Sequence, residues 1–277
     1  MNTAFSAKTI VITGASDGIG AELARQLARG HGHSRPHLVL AARRVDALAS
    51  VARACEAAGA QTLVVATDVC VARDCAHLVE AAVERFGGID VFVNNAGVSG
   101  HALFDDVTDF GWYEDMMRVN FFGALWCTHH ALPHLKRSRG LLVGVSSLAG
   151  KVGVPGRTAY SPSKFAMAGF FEALRTELVG TGVDVTMIFP GVVATETRRR
   201  GYGADGKAAR QSGLDERGAM PVDTCARLMI DAMASRKREL VMTARGKIGL
   251  WLKLIAPGMV DRMAIAALAK QSATRHA

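Results

Sequence analysis

The chain has few cysteines, few aromatic residues and no long uncharged apolar run. Its 277 residues include five cysteines, an odd number without metal-ligand spacing, so neither a disulfide framework nor a metal site is expected. No uncharged apolar run reaches the roughly 18 residues that span a bilayer, and no cleavable signal precedes the first predicted strand. We therefore expect a cytoplasmic protein that binds no metal.

The charge balance is basic, yet the pattern does not favour nucleic acid. Net charge is +8 and the sequence pI is about 9.5, but lysine and arginine are dispersed and aromatic residues make up only 6%. Nucleic-acid binding would require a clustered basic face with stacking aromatics. The charge instead favours an anionic ligand or an acidic membrane surface.

Short apolar runs alternate with stretches of helical composition. The predicted strands are residues 9–13, 37–41, 61–66, 91–94, 141–146, 184–189 and 239–242. The predicted helices are residues 19–29, 45–58, 71–86, 112–135, 161–179 and 222–234. This alternation predicts an α/β fold, a Rossmann-type doubly wound parallel sheet of about seven strands with helices on both faces. One domain is expected over residues 1–245, followed by a helical extension over 246–277.

A glycine-rich turn joins the first predicted strand to the first helix. Gly14 allows a tight turn, Gly18 allows backbone amides to approach a phosphate, and Gly20 permits close packing of helix on strand. A strand, such a turn and a helix together hold a pyrophosphate at a helix N-terminus. A tight turn without a ligand is the alternative.

Tyr160 and Lys164 are separated by four residues, and Ser147 precedes the tyrosine by thirteen. Four residues are about one helical turn, so both side chains project from one helix face. An ammonium near a phenol favours the phenolate and lowers the phenol pKa. Such a phenol can transfer a proton to or from a substrate oxygen.

Taken together and in order, these motifs resemble the short-chain dehydrogenase/reductase family. The matching positions span about two-thirds of the chain and are residues 13–20, Asp68, Val69, Asn94, Asn95, Ala96, Gly97, Asn120, Ser146, Ser147, Tyr160, Lys164, Pro190, Gly191 and Thr195. The resemblance implies an oxidoreductase that transfers hydride between a nicotinamide cofactor and a carbonyl or secondary alcohol.

The resemblance also implies the catalytic roles. Ser147 would donate a hydrogen bond to the substrate oxygen and Tyr160 would carry the proton. Lys164 would lower the Tyr160 pKa and bind the nicotinamide ribose, while Asn120 would kink its helix and anchor a water that links Lys164 to solvent. Ser146 competes with Ser147 for its role, and the family's thirteen-residue offset before the tyrosine selects Ser147.

The cofactor contacts follow from the same matches. Asp68 and Val69 would meet the adenine, and Thr195 would meet the carboxamide. Asn94 is left open between a cofactor contact and a structural tie. The expected contacts are Gly14, Ser16, Asp17, Gly18, Ile19, Gly20, Arg43, Arg44, Asp68, Val69, Asn95, Ala96, Gly97, Tyr160, Lys164, Pro190, Gly191, Val193 and Thr195.

The end of the second strand predicts NADP(H) over NAD(H). An acidic residue there binds the ribose 2′-hydroxyl of NAD, whereas arginine suits a 2′-phosphate. The strand is followed by Arg43 and Arg44, with no carboxylate. Asp17 argues against this choice, since some NADP-preferring relatives have a basic residue in the glycine loop.

The remaining segments bear on the substrate and on partners. Residues 195–222 suit a lid, and Arg198, Arg199 and Arg200 within it are expected to be a solvated face, with an acidic substrate group as the alternative. The apolar stretches at 247–255 and 259–268 favour core packing or a homo-oligomer, dimer or tetramer, over membrane contact. A lipophilic, steroid-like carbonyl or alcohol is the expected substrate. The alternatives are a noncatalytic nucleotide-binding scaffold and a membrane-surface lipid-carbonyl reductase.

Overall fold

Seven parallel strands form one sheet in the order β3-β2-β1-β4-β5-β6-β7. The structure, a computed structural model, describes residues 4–30, 35–210 and 218–275. The strands are β1 (Thr9–Thr13), β2 (His37–Ala42), β3 (Gln61–Ala66), β4 (Val91–Asn94), β5 (Leu141–Val145), β6 (Asp184–Phe189) and β7 (Glu239–Val241). The predicted parallel sheet is confirmed, and every predicted strand end agrees to within a residue.

Helices cover both faces of the sheet. They are α1 (Gly18–Ala28), α2 (Val45–Ala57), α3 (Ala72–Phe86), α4 (Gly111–Met117), α5 (Gly123–Ser138), α6 (Tyr160–Glu177), α7 (Val222–Ala234), α8 (Ala244–Ile255) and α9 (Pro257–Arg275). One apolar core lies between the sheet and α1, α2 and α7, and the other between the sheet and α3, α5 and α6. The five inner strands are buried on both faces, which explains their nearly continuous apolar sequences, whereas the edge strands β3 and β7 are partly exposed.

The order of strands reverses at β1, which pairs with β2 on one side and β4 on the other. In an open α/β sheet, ligands bind in the crevice beyond the carboxyl ends of the strands at such a switch point. The glycine turn follows β1 at that crevice. The segments that follow β2, β3, β4, β5 and β6 emerge at the same edge, because all the strands are parallel.

The helix predicted over residues 112–135 is interrupted. Helix α4 ends at Met117, a π-helical turn spans Arg118–Phe122, and α5 then continues to Ser138. A π turn holds one more residue than an α turn and breaks the regular hydrogen-bond ladder. The kink expected at Asn120 therefore takes the form of a π turn.

The C-terminal extension consists of α8 and α9. The break expected over residues 256–258 is shorter than predicted, because only Ala256 separates the helices and Pro257 begins α9. Proline suits a first helical position, where its missing N–H is not needed. Packing on the chain's own core was one expectation for these apolar side chains, and it is wrong for Trp251, Leu254 and Ile255, which are 71%, 76% and 79% exposed.

The segment 195–222 is described as far as Arg210 and again from Gly218, and residues 211–217 of the expected lid lie outside the described residues. Its described part is attached to the body of the protein. Tyr202 donates its amide to the Ser99 carbonyl at 2.8 Å, and the Val193 and Met220 backbones form a bridge. Within the described ranges, no helix has the length and apolarity needed to cross a membrane.

Candidate active site

A cavity of about 640 Å³ opens at the carboxyl edge of the sheet. This volume is typical of small-molecule sites. Most of the predicted site residues line it, namely Gly14, Ser16, Asp17, Ile19, Arg43, Arg44, Asp68, Val69, Asn95, Ala96, Gly97, Ser147, Tyr160, Lys164, Pro190, Gly191, Val193 and Thr195. Gly18, Gly20 and Asn120 do not line it.

The glycine turn is held against β4. Gly14 has a φ of +66°, and a Cβ there would lie 2.8 Å from the Ala96 Cα, so only glycine fits. The Asn95 side-chain amide donates to the Thr13 carbonyl at 2.9 Å and to the Gly14 carbonyl at 3.3 Å. Asn95 thus fixes the turn in the shape that leaves room for a diphosphate ahead of α1, as a dinucleotide requires.

Asn94, whose role was left open, points away from the cavity. It is 2% exposed, and its amide donates to the Thr128 hydroxyl on α5 at 3.1 Å. Asn94 therefore ties β4 to α5.

Asp17 connects three parts of the cavity wall. Its carboxylate caps α1 by accepting from the Gly18 amide at 2.6 Å, and it pairs with Arg44 at 3.5 Å and with Arg200. Partial burial alone would raise the Asp17 pKa, but hydrogen bonds from Arg200 and the Gly18 amide and the charges of both arginines lower it. The carboxylate is therefore ionised near neutral pH, and it pairs with Arg44 on the cavity wall.

Asp68 and Val69 form the wall beyond β3. The Asp68 carboxylate accepts from the Cys70 amide at 3.0 Å, and the Asp68 amide donates to Asp74 at 3.0 Å. Val69 packs so closely on Gly123 that a Cβ there would lie 2.8 Å from the Val69 Cβ. This stretch has a fixed shape at the edge where the family resemblance predicts the adenine contact.

Lys164 is buried beneath Tyr160. Its Nζ donates to the Val145 carbonyl at 3.0 Å and lies 6.0 Å from the centre of the Tyr160 ring. Burial lowers the Lys164 pKa from 10.5 to about 8. A Cβ at Gly97 would lie 3.3 Å from Nζ, so the glycine leaves the amine its space. The amine can therefore exchange a proton near neutral pH.

Asn120 is fully buried and joins two elements. Its amide oxygen accepts from the Val98 amide at 2.8 Å, while its nitrogen donates to the Val98 carbonyl at 3.1 Å and to the Ser163 hydroxyl at 2.9 Å. These bonds connect the π turn to the loop after β4 and to α6. Asn120 thereby fixes the helix that carries Tyr160 and Lys164.

The two serines after β5 have different partners. The Ser146 hydroxyl is buried and donates to the Lys164 carbonyl at 3.0 Å, which ties β5 to α6. The Ser147 oxygen accepts only weakly from the Ala149 amide, at 3.2 Å. Among the described residues, the Ser147 O–H donates to no partner and is available to a ligand, and the catalytic choice of Ser147 over Ser146 stays a prediction.

Sequence reasoning missed Arg157, although it lies three residues before Tyr160. Arg157 lines the cavity, is 5% exposed, and its guanidinium carbon lies 5.0 Å from the centre of the Tyr160 ring. Its Nη1 donates to the Ser99 hydroxyl at 2.7 Å. Burial lowers the pKa of Arg157, which nonetheless stays charged.

The arginine triplet does not behave as one solvated face. Arg198 and Arg200 line the cavity, whereas Arg199 is exposed and pairs with Glu196. Arg198 donates to the Val193 carbonyl at 2.8 Å. Three consecutive arginines in an irregular segment gave no indication of which side chains would line the cavity.

Comparisons with known proteins agree on the family of this chain. Residues 8–202 match the family model described as short chain dehydrogenase. The dehydrogenase/reductase SDR family protein 7-like of Dictyostelium discoideum is 34% identical over 265 residues, which are 94% of this chain and 81% of that protein. The 11-beta-hydroxysteroid dehydrogenase-like 4A of Arabidopsis thaliana is 35% identical over 254 residues, 91% of this chain and 82% of that protein.

A solved structure is similar as well. An alcohol dehydrogenase from the archaeon Thermococcus sibiricus, complexed with 5-hydroxy-NADP, matches with a TM-score of 0.71 and 27% identity. The match covers 84% of this chain and 94% of that one. Sequence and fold comparisons therefore agree.

Proposed function

Because the chain belongs to the short-chain dehydrogenase/reductase family and is an oxidoreductase, we propose that it uses NADP(H) to interconvert a lipophilic carbonyl compound and its secondary alcohol. The observation that carries this proposal is the arrangement of Ser147, Tyr160 and buried Lys164 along one cavity at the switch point of the sheet. When bound, the nicotinamide supplies or accepts the hydride. The protein must then handle the proton and the charge on oxygen.

The proposed roles follow from the contacts. In reduction, the Tyr160 hydroxyl gives its proton to the substrate oxygen, and in oxidation it takes that proton back. Ser147 donates a second hydrogen bond to the same oxygen as negative charge develops. Lys164 stabilises the charge left on the Tyr160 oxygen, and Asn120 keeps α6 in position through Val98 and Ser163.

The choice of NADP(H) rests on Arg43 and Arg44 and is opposed by Asp17. Both arginines line the cavity directly after β2, where no carboxylate is present to bind a ribose 2′-hydroxyl. The Thermococcus protein was solved with an NADP derivative, which supports the same choice. Asp17 pairs with Arg44, so a 2′-phosphate must compete for that arginine.

A lipophilic substrate is supported by the cavity wall and by the relatives. Val98, Val154 and Val192 line the cavity near the proposed catalytic residues. Several relatives, from Arabidopsis thaliana and from Sesamum indicum, are named as 11-beta-hydroxysteroid dehydrogenases. A steroid-like or comparably apolar ring ketone is therefore the proposed substrate.

The proposal extends to the organisation of the chain. Residues 1–245 form the cofactor-binding and catalytic domain, with a lid near residues 195–222, and residues 246–277 form an extension. The pairing of Arg200 with Asp17 across the cavity supports the lid. The protein is proposed to be a homo-oligomer, which is supported by an apolar hollow of about 450 Å³ beside Phe122 and Trp126.

The test is oxidation of NADPH and of NADH with a panel of apolar ketones, in the wild-type protein and in Tyr160→Phe. We expect turnover with NADPH at higher kcat/KM than with NADH, and loss of turnover in the variant while NADPH still binds, as followed by its fluorescence. An active phenylalanine variant would refute the role of Tyr160. Binding of NADPH without turnover of any ketone would favour the noncatalytic scaffold.

A further inference from the structure

Arg157 is a buried cation without an anionic partner among the described residues. The residue is 5% exposed, and the ion pairs of the described chain do not include it. The two carboxylates that line the cavity are engaged elsewhere, Asp17 with Arg44 and Arg200 and Asp68 with the Cys70 amide. A buried charge is costly unless it is paired and hydrogen-bonded.

The hydrogen bonds of Arg157 leave one edge of the guanidinium open. Nη1 donates to the Ser99 hydroxyl at 2.7 Å, and this is the guanidinium's only hydrogen bond within the described part of the chain. The Ser99 side chain is itself buried, so it fixes the direction of the group. Nε and Nη2 lie on one edge of the plane, which is the fork that binds a carboxylate through two parallel hydrogen bonds.

Arg157 lies close to the proposed reacting group. The residue lines the cavity, and its guanidinium carbon lies over the Tyr160 ring at 5.0 Å from the ring centre. Arg198, which lines the same cavity, adds positive charge near Arg157 and helps to lower its pKa after the larger effect of burial. The buried charge of Arg157 on this part of the wall favours an anionic group beside the reacting carbonyl.

We propose that Arg157 is a substrate-recognition residue that binds a carboxylate, and that the substrate is a keto acid or hydroxy acid with an apolar body. This inference rests on the proposed function and narrows its substrate class. The apolar body lies along the valines of the cavity, while the Nε–Nη2 edge of Arg157 holds the carboxylate. Arg157 thereby sets the distance between the acid and the carbonyl that Tyr160 protonates.

The test compares each keto acid with its methyl ester, because the two differ in charge and hardly in shape. The panel places the carboxylate at increasing distances from the ketone. We expect the wild-type protein to prefer one acid over its ester by about tenfold to a hundredfold in kcat/KM, since a charge-assisted hydrogen bond contributes about 1.5–3 kcal/mol. Equal kcat/KM for every acid and its ester would overturn the inference.

Three variants separate recognition from a structural role. Arg157→Gln is expected to remove most of the acid preference, and Arg157→Lys, which keeps the charge and loses the fork, to retain part of it. Arg199→Gln is the matched control, because Arg199 is exposed and outside the cavity. If Arg157→Gln lowers kcat/KM for acid and ester by the same factor, Arg157 only supports the fold and the inference fails.

A binding measurement makes the test independent of turnover. A saturated carboxylic acid that lacks the ketone is titrated into the protein with NADP⁺, and the rise in Tm is compared with that for its ester. We expect the acid to raise Tm in the wild-type protein and not in Arg157→Gln or, if that variant does not fold, less in Arg157→Lys. A Tm rise without turnover of any ketone would refute the proposed function and keep the carboxylate site, whereas turnover of neutral ketones without a Tm rise would do the reverse.

Discussion

Replacement of Lys164 by methionine should stabilise the protein at neutral pH while it destroys the proposed catalytic site. Burial lowers the Lys164 pKa from 10.5 to about 8. One pKa unit corresponds to about 1.36 kcal/mol, so the charged amine costs the fold about 3 kcal/mol. Methionine has similar bulk and no charge, but it loses the hydrogen bond to the Val145 carbonyl, worth about 1 kcal/mol. The net gain at pH 7 is therefore about 2 kcal/mol.

The stability difference between the wild-type protein and Lys164→Met should depend on pH. At pH 7 the Lys164 amine is protonated in the folded and unfolded states, so the full cost of burying its charge is present. As the pH rises through about 8, the folded protein loses this proton, while the unfolded chain keeps it until about 10.5. The wild-type protein should therefore gain stability relative to Lys164→Met over that window, and the variant's advantage should disappear near pH 10.

Urea unfolding without cofactor, followed by circular dichroism at pH 7 and near pH 10, measures both values. Lys237→Met is the control, because Lys237 is exposed and the same change there removes no buried charge. A stability difference between wild type and Lys164→Met that does not change with pH would refute the reasoning. So would a variant that is less stable than the wild type at pH 7.

Two further predictions concern the cavity wall. Ser147→Ala should lower kcat by about a hundredfold to a thousandfold with NADPH binding retained. Ser146→Ala should mainly reduce the free energy of unfolding, by about 1 kcal/mol, because it loses the hydrogen bond to the Lys164 carbonyl. Steady-state kinetics and urea unfolding of both variants check this, and the reverse pattern would exchange the roles of the two serines. Asp17→Asn keeps an oxygen to cap α1 and removes the charge that pairs with Arg44. The KM for NADPH should therefore fall by a factor of up to about 5, while the KM for NADH changes less. An equal change in both KM values would show that Arg44 does not contact the 2′-phosphate.

Much of the fold could be predicted because short apolar strands alternate regularly with helices along the chain. Every strand of the sheet is short, apolar and bounded by polar turns, and parallel strands place all their carboxyl ends at one edge. The sequence therefore indicated that residues as distant as Gly14, Ser147 and Pro190 would meet at one cavity. The comparisons confirm the family that the ordered motifs suggested.

The rest depended on contacts between distant segments. The burial of Arg157 is produced by Ser99 and by the loops around it, and no local pattern distinguishes it from the surface arginines elsewhere in the chain. The pairing of Asp17 with Arg200 joins residues 183 positions apart. The C-terminal helices were predicted as apolar segments, but amphipathic composition alone did not reveal that Trp251 and Leu254 would face outward.

The π turn at Arg118–Phe122 governs the face that α5 buries. An α-helix advances by about 100° per residue, so rewinding this turn as an ordinary α turn, with all its residues kept, would rotate everything after it by more than a quarter of a revolution. Cys127, Ala131 and Leu135, which now pack in the core against the sheet, would turn away from it. The one additional residue in the π turn thus determines which face of the sixteen-residue helix α5 is shielded from water.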